Sequence, residues 1–260
     1  WAHSDMEKWM AEKHNPSRPL LQNAYASYDH VVPVGEDVKE SAEHIGGHPE
    51  KVLVISNFMD YRRIQELGKL PVSFDSETEC TVSLNRLQEI LKSSDRKFIN
   101  VGRFSPEKGH ERLIRAFDRF WTDHPDTWLI IIGSHGEYYK HTCDLADSVR
   151  SSSHIILIKY MSNPFPVVKA CDFFLLSSYY EGLGLVILEA DVFGVPTASC
   201  DISGPHSFIR QYGGTLLPNS EDGLVQGMEM FVEGKIHTMH VDYEKRNQDI
   251  LSKCEKLFME

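Results

Sequence analysis

The stretch from Asp172 to Gly194, D-F-F-L-L-S-S-Y-Y-E-G-L-G-L-V-I-L-E-A-D-V-F-G, constrains the fold more than any other part of the chain. Phe173 to Leu176 is a short unbroken apolar run, the pattern of a strand covered on both faces. Ser177 to Gly184 is a polar, glycine-bearing turn. From Leu185 the pattern is helical, and Gly194 with Pro196 just beyond it marks the stop. Strand, glycine turn and helix in that order aim free backbone N–H groups at an anion. Glu181 lies in the turn. Glu189 lies about one turn inside the helix, where side chains lean back toward the N-terminus. Both carboxylates are therefore expected to face one spot beyond the strand. A phosphate at the helix end, with carboxylates beside it to accept hydroxyl protons, suits a nucleotide that carries a sugar. A plainer reading stands beside this one: glycine turns follow strands in any α/β domain, and the helix dipole favours an early carboxylate anyway.

The pattern repeats on both sides of this stretch. Strands are predicted over Phe98–Val101, Trp128–Ile132, Ile155–Ile158, Pro196–Ser199 and Thr215–Leu217. Helices are predicted over Glu111–Trp121, Tyr138–Val149, Pro164–Ala170, His206–Gln211 and Ser220–Phe231. Alternation of this kind argues for an α/β fold with a doubly wound parallel sheet. Ligands in such sheets bind outside the carboxyl ends of the strands. The loops after strands are therefore where functional residues belong.

Gly102-Arg103-Phe104-Ser105-Pro106-Glu107-Lys108-Gly109 follows the first of these strands. Gly102 permits close backbone approach, and Arg103 and Lys108 are natural phosphate ligands. Gly133-Ser134-His135-Gly136 follows the second strand; it is not G-x-G-x-x-G, which lowers the expectation of an NAD-dependent enzyme. Asp201-Ile202-Ser203-Gly204-Pro205 follows a later strand and reads either as a lid over the site or as a plain turn. Arg112, Arg115 and Arg119 recur at helical spacing. A solvated helix face accounts for them better than an anionic membrane does, because Glu111 and Asp118 dilute the charge.

Before Lys97 the pattern is weaker. Helices are predicted over Met6–Lys13, Leu20–Tyr28 and Glu36–His44, and short strands at Val31–Val34 and Lys51–Ile55, with Pro33 confining the first to an edge. Between Phe58 and Lys97 only Val82–Leu91 has helical spacing. Asp242–Phe258 reads as a terminal helix.

A net charge of -11, from 27 Lys and Arg against 38 Asp and Glu, makes a general nucleic-acid binder a poor expectation. The five cysteines are odd in number and no pair has C-x-x-C spacing, which argues against a disulfide framework or a zinc site and fits a reducing cytoplasm. No apolar run approaches the roughly 18 residues needed to span a bilayer. The chain opens on Trp1-Ala2-His3 without an initiator methionine or a signal-like core and is expected to be a piece of a longer polypeptide.

The E-x7-E spacing of Glu181 and Glu189, with E-G-L-G-L at its start and G-R-x-x-x-x-K-G at Gly102–Gly109, resembles the signature of the retaining glycosyltransferases of family 4 and their GT-B relatives. The resemblance runs from about Asp29 to Phe231. It implies a Rossmann-like C-terminal domain of the GT-B kind with a remnant of a second domain. The implied division is 1–57 as the end of the acceptor-side domain, 58–96 as linker and connecting element, 97–235 as the donor-binding domain and 236–260 as a helix crossing back. Gly35-Glu36 and Ser56-Asn57 stand where the family has an S-E-like dipeptide and a P-N, and both are departures. The resemblance implies that Arg103 and Lys108 hold the donor diphosphate with the N–H groups of Gly182, Leu183, Gly184 and Leu185. It further implies that Glu189 accepts from ribose hydroxyls, that Glu181 orients the donor sugar, and that the loop carrying Met161 and Asn163 edges the base. His3 stands where the family places a histidine near the reacting sugar.

The function so implied is transfer of a hexose from a nucleotide-diphosphate sugar to a carbohydrate or lipid-linked acceptor, with no metal and no cofactor besides the donor. The setting implied is bacterial surface-polymer synthesis by a cytoplasmic protein, at most peripheral at the inner face of the membrane. Two alternatives stay open: a nucleotide-sugar-binding module without transfer activity, and a sugar-nucleotide epimerase or hydrolase on the same plan.

Overall fold

The computed structural model describes Ala2, residues 18–134, Gly136 and residues 138–259. The predicted helix over Met6–Lys13 lies outside these residues. Among them, β1 (Arg96–Val101), β2 (Thr127–Ile132), β3 (Ile155–Ile158), β4 (Phe173–Leu176), β5 (Thr197–Cys200) and β6 (Thr215–Leu217) form one parallel sheet in the order β3-β2-β1-β4-β5-β6. The architecture is α/β, and the strand order is that of a doubly wound sheet. Strands covered on both faces are mostly apolar, and T-W-L-I-I-I and F-F-L-L are buried at every position. Phe98, Phe173 and Phe231 pack edge-to-face and stacked at 4.8–5.4 Å between ring centroids, at the centre of the main core.

Eleven α-helices accompany the strands among the described residues: α1 (Arg18–Ser27), α2 (Glu36–Gly46), α3 (Tyr61–Leu67), α4 (Leu84–Lys92), α5 (His110–Trp121), α6 (Tyr139–Ser148), α7 (Phe165–Lys169), α8 (Leu185–Asp191), α9 (Pro205–Tyr212), α10 (Glu221–Val232) and α11 (Tyr243–Met259). Helix α8 stops three residues short of Gly194. Ser83 and Asp60 cap α4 and α3 by accepting from the N–H groups of Arg86 and Arg63.

The two short strands predicted before residue 57 are single bridges instead. Val31 pairs with Val52 and Ala2 with Pro33, both in parallel. The Pro33 carbonyl accepts from Ile55 N–H, and proline has no N–H with which to extend the ladder. Helix α11 is fastened to the segment that follows. Asn247 bonds both N–H and C=O of Met59, Arg246 Nη1 donates to Asn57 O, and Ile250 packs on Val32 and Ile55.

Residues 58–96, whose sequence pattern indicates no role beyond a connection, cover one edge of the sheet. Cys80 bridges Ile158 antiparallel, with Thr81 N–H to Leu157 O and Lys159 N–H to Glu79 O. The exposed edge of β3 is thereby paired, which removes a template for aggregation. Leu87 and Ile90 of α4 enter the main core. No helix among the described residues is long and apolar enough to cross a membrane.

Candidate functional site

Strands β1 and β4 are neighbours, with Phe98 opposite Phe173 and Ile99 opposite Phe174. The chain reaches β4 only after travelling out to β3, so the order reverses between these two strands. Loops 102–109 and 177–184 leave their carboxyl ends side by side, where the crevice of a doubly wound sheet lies.

The first loop is folded back on itself. Pro106–Lys108 makes one turn of 3-10 helix, and the aliphatic stem of Lys108 lies over Gly102, where a Cβ would be 3.3 Å from Lys108 Cδ. Gly109 has φ 63°, and a Cβ there would be 2.2 Å from Ser177 O. Left-handed backbone pressed against a carbonyl admits glycine alone. Lys108 Nζ donates to Glu181 Oε1 at 2.6 Å, and Ser178 Oγ donates to the same oxygen at 2.6 Å. The side chains of Lys108 and Glu181 are 17% and 11% exposed. Opposite charges this sheltered interact strongly, and each would be costly to leave alone. Both described bonds to Glu181 land on Oε1, so Oε2 is without a hydrogen-bond partner among the described residues.

Glu189 sits on α8, half-buried, with no hydrogen bond or ion pair among the described residues. Burial raises its carboxyl above the ordinary range. A sheltered carboxylate without a partner is disfavoured by its own desolvation. Gly184, at φ 73°, starts α8 without a side-chain cap. The helix has only seven residues, so its macrodipole is weaker than the sequence suggests. An anion here would be met by the N–H groups themselves and by Lys108.

Other expected residues are not drawn in. The side chain of Arg103 is 67% exposed and, among the described residues, its guanidinium reaches only Glu107, at 3.4 Å. Glu107 already accepts from Ser105 Oγ at 2.6 Å. Met161 is buried in the core. Asn163 uses its amide on Leu67 O and its carbonyl on Phe165 N–H, and Ser162 N–H is taken by Asp75. The side chains of Met161 and Asn163 thus belong to the scaffold, because the 60s segment packs across this loop. His3 and His135 lie outside the described residues.

Glycosyl transferases group 1 is the family whose model matches, over residues 84–248, more than half of the chain. The chain belongs to this family. It is 28% identical over 180 residues to the uncharacterized glycosyltransferase MJ1059 of Methanocaldococcus jannaschii, covering 69% of this chain and 41% of that protein. It is 27% identical over 216 residues to the lipopolysaccharide core biosynthesis glycosyltransferase LpsE of Rhizobium meliloti, covering 82% and 57%. The chain therefore spans about half the length of these curated relatives. Its fold is that of Anabaena HepE, solved in complex with UDP and glucose: TM-score 0.73 at 19% identity, covering 92% of this chain and 66% of that one.

Four further residues of this group 1 chain bear on the site, and none of them is itself expected to bind the ligand. Arg112, expected on a solvated face, is buried, with its guanidinium held by the carbonyls of Ser177 and Ser178. Arg112, Ala116 and Phe120 fall at i, i+4 and i+8, all buried, so the stripe is readable in the sequence. Arg115 and Arg119 do lie outside, paired with Glu111 and with Glu221 and Asp222. Phe104 is buried beneath the loop after β2, where a Cβ on Gly133 or Gly136 would come within 2.2 Å of it. His110, also buried, bonds Asn100 through Nε2, and burial with nearby Lys108 pushes its pKa down to about 3. Gly204, at φ 101°, packs on the carbonyls of Glu181 and Gly182, so the loop after β5 buttresses the Glu181 turn. No group of three or more His, Cys, Asp or Glu side chains able to hold a metal occurs among the described residues.

Proposed function

We propose that this chain is the donor-binding part of a retaining GT-B hexosyltransferase that moves a sugar from a nucleoside diphosphate to a carbohydrate or lipid-linked acceptor. The observation that carries this reading is the meeting of Lys108 and Glu181 at the switch point of the sheet, beside the uncapped start of α8. A cation, free N–H groups and a carboxylate with one open oxygen match a diphosphate joined to a polyhydroxylated ring.

In this reading the bond between the sugar's anomeric carbon and the diphosphate oxygen breaks, and charge collects on the leaving phosphate. Lys108 and the N–H groups of Gly182 to Leu185 neutralise that charge, and Arg103 contributes from the rim. Glu181 Oε2 accepts from a sugar hydroxyl and favours the positive character growing at the anomeric carbon. The acceptor hydroxyl forms the new bond on the face the leaving group vacates, and its proton passes to the departing phosphate. Glu189 accepts from ribose hydroxyls, which supply the partners its carboxylate lacks. These residues carry the chemistry without a metal, and the nucleotide sugar is the only small molecule needed besides the acceptor. The similarity to LpsE, a lipopolysaccharide core biosynthesis glycosyltransferase, supports surface-polysaccharide synthesis, and HepE, which shares the fold, was solved with UDP and glucose. The acceptor enters by the cleft lined by Gly35, Glu36, Ser56, Leu183 and Ser207. The setting is cytoplasmic, with peripheral contact at most on the inner membrane face.

Calorimetric titration with UDP-, GDP- and CDP-linked sugars tests the reading. One family of donors is expected to bind. Glu189→Ala weakens nucleoside diphosphate binding about tenfold, the value of a charge-assisted hydrogen bond. Glu181→Ala spares the nucleoside diphosphate and removes the additional affinity contributed by the sugar. Parent-like binding of every donor by both variants would refute the assignment. Binding without turnover would point to a module that needs the rest of a longer chain.

A further inference from the structure

The Arg112 side chain reaches across to the turn after β4 and to the segment after β6. Its Nε donates to Ser177 O at 2.7 Å, Nη2 to Ser178 O at 2.6 Å and Nη1 to Asn219 Oδ1 at 2.8 Å. The face of its guanidinium lies 3.9 Å from the centroid of the Tyr179 ring. Three consecutive residues of the turn after β4 are therefore gripped by one planar, buried group. Lysine cannot reproduce this, because a point charge offers neither the fork nor the stacking face.

The two serines so held are the ones that reach the proposed chemistry. Ser178 Oγ donates to Glu181 Oε1, and Ser177 Oγ donates to Lys108 O at 2.9 Å. Tyr179 N–H adds a bond to Glu107 O at 2.8 Å. The loop of Lys108 and the turn of Glu181 are thus joined directly, and Arg112 holds the same serines although neither partner of the ion pair is hydrogen-bonded to it. Asn219, just after β6, extends the same brace to the segment that enters α10.

We propose that Arg112 is a positioning residue that sets the carboxylate of Glu181 against the donor sugar; this rests on the donor-binding reading above. The brace holds Glu181 while the diphosphate competes for Lys108. Without it the carboxylate follows the ammonium, and the contact with the sugar is lost while contacts with the nucleotide remain.

The test compares Arg112→Lys, Arg112→Gln and Asn219→Ala with the parent chain. Two measurements are made: titration with a nucleoside diphosphate and with its sugar conjugate, and amide exchange over residues 177–184 without ligand. The parent is expected to bind the conjugate more tightly than the bare diphosphate. Arg112→Lys and Arg112→Gln are expected to lose that difference by about tenfold, with the bare diphosphate within about threefold of the parent. Exchange over 177–184 accelerates in both, and Asn219→Ala gives a smaller change in the same sense. Rescue by lysine, or equal weakening of both ligands in step with lost stability, would overturn the proposal. If no nucleoside diphosphate binds the parent, the functional reading fails by itself. Exchange still tests the brace in that case: unaltered protection in Arg112→Gln or Asn219→Ala sinks it, and where Arg112→Gln does not fold, exchange in Asn219→Ala is decisive.

Discussion

Lys108 and Arg103 leave the same strand on the same loop, five residues apart, yet they live in different surroundings. Lys108 lies along Gly102, is largely sheltered and ends on Glu181 at 2.6 Å. Arg103 extends into solvent and touches Glu107 at 3.4 Å. The same contrast divides the two halves of the crevice. After β1 and β4, side chains are held by sheltered polar bonds between neighbouring loops. After β2 and β3, Phe104 fills the space below Gly133 and Gly136, and Asn163 is spent on Leu67 and Phe165. Two residues in one motif can thus differ greatly in leverage, because a desolvated charge acts at a lower effective dielectric than one at the rim.

That contrast can be broken in several ways, beginning with the largest effect. Gly109→Ala places a Cβ 2.2 Å from Ser177 O in left-handed backbone, and is expected to cost about 3 kcal/mol by chemical denaturation. A loss under about 1 kcal/mol would show that the two loops are not pressed together as described.

Next comes the cation pair. Lys108→Ala is expected to weaken nucleoside diphosphate binding by about 10- to 100-fold, since it removes a sheltered charge-assisted bond. Arg103→Ala should weaken it by about threefold at low ionic strength and less at physiological salt, as befits a screened rim charge. Reversal of this order would move the phosphate from the floor of the crevice to its rim.

His110 gives a pH handle on the same loop. Its pKa falls from 6.5 to about 3 on folding, chiefly through burial. The unfolded chain therefore takes up a proton below about pH 6.5 that the folded chain refuses. The stability associated with neutral His110 is complete above that pH and declines as pH falls toward 3, by up to about 1.4 kcal/mol per pH unit. Denaturation of the parent and His110→Gln between pH 7 and 4 should show the parent losing the advantage more steeply. Parallel curves would mean that His110 reaches solvent.

Glu189 is expected to give the smallest stability effect, and with the opposite sign. Burial raises its folded pKa above the unfolded value, so the ionised group opposes folding at neutral pH and the penalty lifts as the carboxyl protonates in acid. Glu189→Gln should stabilise the ligand-free chain by on the order of 1 kcal/mol at pH 7 while weakening nucleotide binding. A loss of stability instead would show that Glu189 has a structural partner.

Much of the fold is legible in the sequence because most strands are short apolar runs and each following loop carries glycine, serine or proline. Boundaries differ where tertiary contact overrides local pattern. Val31–Val34 is two bridges because Pro33 lacks a donor, and α8 stops at Asp191 although Gly194 looks like its cap. At the site, Lys108, Glu181 and Glu189 stand out through motif spacing. Arg112 does not, because three arginines at helical spacing look alike until one is seen to share a stripe with Ala116 and Phe120. The segment 58–96 is opaque because its role is to pair an edge and fill a core supplied by other parts of the chain.

The amino-acid sequence by itself determined the alternation of strands and helices, the loops that carry charge, and membership in a glycosyltransferase family. The first two follow from periodicity and turn chemistry, which act over a few residues; the family follows from motif resemblance and from the match to its model. Only the tertiary structure decided which charges are sheltered, which arginine braces the site and which expected ligands belong to the scaffold. Those outcomes depend on β1 and β4 lying side by side, with Phe98 opposite Phe173 though far from it along the chain, and on which polar groups that neighbourhood strips of water.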